Sequence, residues 1–224
     1  MEFLVALFSI MMVNIVLSGD NAVVIAMASR ALPPKQQTKA ILWGSAGAIG
    51  LRIILTFVAI LLLQIPYLQF AGGVLLIWIA AKLLLENHDE GDVEASTSLW
   101  EAVKTIIIAD LVMSLDNTLA IASVAKGDYI LLGIGMLLSI PLITFGSSII
   151  IKLMDRFPVI VYIGSALIAW TAGEMMMRDQ RMGIVLEAFM PEWLLPAGIT
   201  VAILSLGIWW NKYRNVARQR QVEG

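Results

Sequence analysis

Cysteine is absent from this chain, histidine occurs once, at His88, and only 14% of the residues are charged. Without cysteine there is no disulfide and no thiolate metal site, and one histidine cannot ligate haem as a pair. The shortage of charge excludes more. A soluble domain is about one quarter charged, whereas here 59% of 224 residues are hydrophobic. So little polar surface cannot cover a globule against water, and the chain reads as resident in a lipid bilayer. The formal net charge of −2 says little, because the placement of Lys and Arg matters more in membrane proteins than their sum; no nucleic-acid partner is expected. Met1-Glu2-Phe3 lacks a positive leader and no A-x-A cleavage site follows, so the first apolar segment is expected to be a retained transmembrane helix.

What is plentiful is apolar sequence in long runs. Segments of about 20 residues, enough to cross roughly 30 Å of hydrocarbon, fall near 3–28, 39–63, 66–86, 99–125, 129–153, 158–177 and 193–211. Polar breaks separate them, among them Arg30 to Lys39 with Pro33-Pro34, Glu86 to Thr97, and Arg178 to Glu192. The expected fold is an all-α integral membrane protein with seven transmembrane helices.

One stretch occurs twice. Asn14-Ile15-Val16-Leu17-Ser18-Gly19-Asp20-Asn21 returns as Asp110-Leu111-Val112-Met113-Ser114-Leu115-Asp116-Asn117. The likeness extends further: Pro66, Gly72, Leu75, Trp78 and Ala80 align with Pro158, Gly164, Leu167, Trp170 and Ala172, and Gly44 meets Gly133. Segments one to three and four to six are therefore two copies, and segment seven is an addition. Three crossings is an odd number, so the copies enter the membrane from opposite sides, as in the inverted repeats of secondary transporters. The predicted organisation is a first repeat over 1–86, an acidic cytoplasmic linker over 87–98, and a second repeat over 99–178. A seventh helix over 193–211 and a basic cytoplasmic tail over 212–224, expected to fray from Lys212, complete it. Lys and Arg set the orientation. With the N-terminus outside, inner segments hold Arg30, Lys35, Lys39, Lys152, Arg156, Lys212, Arg214, Arg218 and Arg220, against Lys126, Arg178 and Arg181 outside. That bias predicts N-out and C-in. Gly44 and Gly47 with Ala48 predict a close helix approach.

An ionisable residue at membrane depth is costly and marks a functional site by default. On a straight helix Asn14, Ser18 and Asn21 share a face, as do Asp110, Ser114 and Asn117, while Asp20 and Asp116 lie about a third of a turn away. Gly19 permits local unwinding that would free carbonyl oxygens and swing Asp20 toward the same cavity; the second copy has Leu115 there. Pooled, the motifs offer carboxylates, amides and hydroxyls and no soft ligand, which suits Mn²⁺, Mg²⁺ or Ca²⁺ as a transported substrate, with no organic cofactor. Alternatively, the polar pairs only bond the first segment to the fourth. Three further charges lie in the apolar runs. Arg52 is expected to balance a carboxylate, Lys82 to reach the inner interface, and Glu174 to do likewise outside or to guard an exit path. The run Glu86 to Glu94, with His88, reads as a solvated linker.

At the doubled Ser18-Gly19-Asp20-Asn21 and Ser114-Leu115-Asp116-Asn117, the sequence resembles the TerC family of integral membrane proteins, in its YjbE-type branch. The resemblance covers roughly residues 3–211. It implies metal-ion transport, Mn²⁺ efflux foremost, across a bacterial inner membrane, and it carries the family's acidic site onto Asp20 and Asp116, with Asn21 and Asn117 beside them. Asn14 stands where the second copy has Asp110, so the count of ligand charges differs between the halves. Two other readings stay open. An intramembrane aspartyl protease would also use two Asp residues, but such enzymes usually carry G-x-G-D, and this chain has Ser114-Leu115-Asp116. A membrane partner that metallates or exports other proteins is the third. No enzyme activity is expected.

Overall fold

Chains with this much apolar sequence satisfy their backbone inside a bilayer as helices, and every regular element among the described residues is helical. The computed structural model describes residues 7–8, 11–12, 18–62, 65–86, 98–125 and 129–222, with side chains described in these except at 57, 59–61, 86, 116–125, 129–132 and 214–222. The helices are α1 (Gly19–Arg30), α2 (Pro34–Leu62), α3 (Leu68–Glu86), α4 (Leu99–Ala125), α5 (Tyr129–Arg156), α6 (Val159–Met177), α7 (Met182–Phe189) and α8 (Leu194–Val222).

Local chemistry sets the helix ends. Pro34 opens α2, where its missing N–H costs nothing. Ser98 caps α4, its hydroxyl accepting the Glu101 N–H at 3.2 Å, the start of an S-x-x-E box. Between α2 and α3 the chain turns through Tyr67, which holds a positive φ of 65°.

Stretches of α2 (Pro34–Thr56), α3 (Leu68–Leu85), α5 (Gly133–Arg156), α6 (Val159–Met177) and α8 (Leu194–Tyr213) are each long and apolar enough to cross a membrane. Their outward faces are apolar: Trp43 is 64% exposed, Phe145 68% and Val201 63%. Polar side chains turn inward instead, and Ser18, Asn21, Arg52, Asp110 and Ser114 are all buried. That is the reverse of a soluble protein, and it makes this an all-α, multi-pass membrane protein. Five of the seven expected spans are thereby supported among the described residues. α4 also has the length, with 27 residues. The described part of α1 has 12 residues.

α2 packs on α4 and α5, α3 on α6, α1 on α4 and α5, and α8 covers α6 and α3. The α2–α4 approach uses the predicted glycines. A Cβ on Gly44 would stand 2.8 Å from the Ile106 side chain, and one on Gly47 would stand 2.7 Å from Ile107. Both distances are shorter than ordinary contacts, so a side chain at either position would force the facing isoleucine to move.

Two features differ from the sequence reading. The basic tail does not fray at Lys212, because α8 continues to Val222; Lys and Arg are good helix formers and complement a helix C-terminus. The break after Arg178 contains α7, an eight-residue helix too short to show a periodicity of its own. Asn14, residues 87–97 of the expected linker with His88, and Lys126 lie outside the described residues.

Candidate functional site

The two motif copies meet at the contact of α1 with α4. Ser18 precedes α1 and Gly19 opens it, so Asp20 falls in the first helical turn, where its carboxylate accepts the Asn21 backbone N–H at 2.9 Å. An acidic group there is favoured by the positive end of the helix dipole. The second copy lies in mid-α4, which runs unbroken through Ser114-Leu115-Asp116-Asn117. Gly19 therefore coincides with a helix start, whereas Leu115 does not.

The centre is a buried network. Asn21 Nδ2 donates to Asp110 Oδ1 at 2.6 Å, joining the first copy to the second. Ser114 Oγ donates to Asp110 Oδ2 at 3.1 Å, one helical turn away. Arg52, from mid-α2 and 1% exposed, reaches between the copies. Its Nη2 forms an ion pair with Asp110 Oδ1, Nη1 donates to Ser18 Oγ at 2.8 Å, and Nε donates to Ser114 Oγ at 2.8 Å. A guanidinium is planar and presents forked donors, which is why one side chain serves three acceptors. The expectation that Arg52 balances a carboxylate is met, and the carboxylate is Asp110.

A small cavity of about 10 Å³, room for one water-sized occupant, adjoins this network and is lined by Ser18, Asn21, Ser45, Arg52 and Asp110 among others. Two of its oxygens, Asn21 Oδ1 and Ser45 Oγ, are buried without a hydrogen-bond partner among the described residues. Ser45 was missed from sequence because a serine in a small-residue stripe reads as packing. Among the described residues no three acidic or histidine side chains converge as a metal cage. The backbones of Asp116 and Asn117 lie in α4, one turn and less beyond Ser114; their side chains are outside the described set.

Lys82 and Glu174 stand apart from this centre. Lys82 lies over the Trp78 ring, 5.5 Å from its centroid. Glu174 accepts the Trp170 indole N–H at 3.0 Å and faces Arg178 at 3.7 Å. It lines a separate cavity of about 240 Å³ with Glu187, Glu192 and Trp193.

Sequence reasoning also missed Asp179, which follows α6. It is 3% exposed, and its carboxylate accepts backbone N–H groups of Met182 at 2.9 Å, Arg181 at 3.0 Å and Phe70 at 3.2 Å. Burial alone would raise its pKa, but these N–H donors, with that of Tyr67, outweigh it and hold the carboxyl below its ordinary 3.8. Asp179 ties the start of α3 and the start of α7 to the end of α6. An Asp three residues before a helix is the available signal, and it carries no periodicity.

A bundle of apolar helices closed around a buried Arg–Asp pair, built from two copies of one motif, defines a polytopic membrane protein with a polar centre at depth. Residues 1–218 match the Integral membrane protein TerC family, and the chain belongs to that family. It is 44% identical over 206 residues to Uncharacterized membrane protein YjbE of Bacillus subtilis (strain 168), covering 92% of this chain and 94% of that one. It is 29% identical over 160 residues to Uncharacterized membrane protein YceF of the same organism, covering 67% and 62%. It also matches UPF0053 inner membrane protein YoaE of Escherichia coli (strain K12), at 25% identity over 245 residues, 98% of this chain and 45% of that longer one. No solved structure matches.

Proposed function

We propose that this protein exports a divalent metal ion, Mn²⁺ foremost, across a bacterial inner membrane, binding it between α1 and α4. The observation that carries the reading is the Asn21–Asp110 bond, which brings the two copies of the motif together inside an apolar bundle. Asp20, Asp116, Asn117, Ser18, Ser114 and Asn14 complete the proposed ligand set by their places in the motif. Oxygen donors of this kind suit a hard cation.

The proposed frame is seven spans, N-terminus outside, as two inverted three-helix repeats with α8 added. The helix partners support it: α1 packs on α4, α2 on α5 and α3 on α6, each against its own counterpart. Arg30 and Asp155 form an ion pair at 2.8 Å, so the ends of α1 and α5 share one side of the membrane, as the repeat requires.

Expulsion of a divalent cation needs a driving force. Moving charge across the membrane takes about 2.3 kcal/mol per elementary charge per 100 mV, so at roughly 150 mV, inside negative, the ion faces about 7 kcal/mol. Antiport with protons supplies this, because a carboxylate binds either a metal or a proton. The test is efflux from Mn²⁺-loaded proteoliposomes. An inward proton gradient is expected to speed it, with proton uptake into the lumen. Transport indifferent to that gradient at fixed potential rules out proton coupling, and absence of metal transport rules out the reading itself.

A further inference from the structure

We propose that Arg52 is a built-in counter-cation, which competes with the transported ion for Asp110 and for the paired serines of the two motif copies. The proposal rests on the reading that this chain carries a divalent cation. Its first support is position. Arg52 belongs to neither motif, yet its guanidinium bonds Ser18 and Ser114, each at 2.8 Å, and those serines occupy the same place in the two copies. The positive charge therefore sits at the join of the halves, where an ion shared between them would be held.

The second support is charge. Asp110 Oδ1 is already paired with Arg52 Nη2, and two cations cannot share that oxygen at contact distance without strong repulsion. The third is a set of oxygens with nothing bound to them. Asn21 Oδ1 and Ser45 Oγ, each on a residue 2% exposed, have no partner among the described residues, and both line the cavity shared with Ser18, Arg52 and Asp110. Buried acceptors left unpaired are costly, and beside a carboxylate they are the donors a dehydrating hard cation takes up.

The two occupants thus alternate. When the ion enters, the guanidinium withdraws from Asp110 along the flexible stem of its side chain. When the ion leaves, Arg52 returns, so Asp110 is not left as an uncompensated buried carboxylate, a state that is strongly disfavoured. The competitor weakens ion binding, which favours release, and keeps Asp110 neutralised while the carrier returns with protons on its other acids.

The experiment compares wild type, Arg52→Gln and Arg52→Lys in proteoliposomes, reading Mn²⁺ affinity, Mn²⁺/Mn²⁺ exchange and net efflux. Removing the competitor is expected to tighten Mn²⁺ binding at least about tenfold. Exchange, in which the carrier never crosses empty, is retained in Arg52→Gln while net efflux is lost. Arg52→Lys keeps the charge but cannot span both serines, so it retains net efflux and binds with intermediate affinity. A purely structural arginine gives the opposite pattern, with weaker binding and joint loss of exchange and efflux in Arg52→Gln, and that result overturns the proposal. If Arg52→Gln fails to accumulate, the lysine variant decides, and binding no tighter than wild type overturns it. A wild-type protein that neither binds nor moves a divalent cation overturns the transport reading as well, which separates the two failures.

Discussion

Around the buried ion pair the two copies of the motif differ in one charge. The first begins with Asn14 and the second with Asp110, and Arg52 on α2 pairs with the carboxylate of the second. In the alignment that sets Gly44 on Gly133, Arg52 falls on Pro141, which lies inside α5. So the first half supplies an amide and a cation, and the second supplies the carboxylate that pairs with that cation and a break in the hydrogen-bond ladder. The helix ends show the same pattern: Trp78 takes a lysine, Lys82, on its face, and Trp170 takes a carboxylate, Glu174, on its N–H. Along the aligned stretches small and apolar residues recur while the charges differ. Equal halves would repeat one environment twice; here Arg52 balances Asp110, and Asp20 sits in the first turn of a helix.

The comparison can be broken first at the acids the halves share. Asp20→Asn and Asp116→Asn are each expected to reduce Mn²⁺ efflux to the level of cells lacking the protein, with normal amounts in the membrane, because the amide removes charge and little volume. Intracellular manganese is the measurement, and a variant that exports normally removes its half from the site. Next comes the residue the halves do not share. Asp110→Ala leaves Arg52 buried with no carboxylate, and an arginine cannot shed its charge, so the loss is about 3–5 kcal/mol, read by thermal unfolding in detergent. Asn14→Ala removes no charge and is expected to cost less than half of that. Equal losses would show that the halves are energetically alike after all.

A smaller effect is expected at Asp179. Its carboxyl is held below the ordinary value when folded, so its contribution to stability is present above about pH 4 and disappears as the pH falls through the folded-state pKa. Asp179→Asn should cost about 1–3 kcal/mol at neutral pH and show little deficit once the acid is protonated in wild type. Unfolding at pH 7 and at pH 3 tests the sign. Smallest is Asp155→Asn, which breaks a pair whose carboxylate is 57% exposed. Such pairs contribute at most about 1 kcal/mol and fade with salt, so the variant should match wild type at high ionic strength.

Much of the centre was legible because its cost is legible. Arg52 in an apolar run had to balance a carboxylate, and it pairs with Asp110. The Asn21–Asp110 bond joins the two copies, the contact that the alternative reading of the polar pairs described. What could not be read was whatever depends on a neighbour's shape. Ser45 matters only because α1 and α4 leave a small cavity beside it. Asp179 acts through backbone N–H groups, which every residue but proline has, so no partner residue in the sequence gives it away. α7 is one short helix in a polar break, and its exposed Ile184 and Phe189 look like loop residues until the turn around Asp179 is seen.

The unbroken end of α8 has a mechanical consequence. Its apolar window, Leu194–Tyr213, has 20 residues, about 30 Å at 1.5 Å per residue, which matches the hydrocarbon thickness. The helix then continues to Val222, a further 13 Å or so by the same rise. The basic end is thus a stiff mast and not a tether. The helix backbone at 214, 218 and 220 rises about 1.5, 8 and 11 Å past the end of that window. A flexible tail would average those heights. A continuous helix grades them.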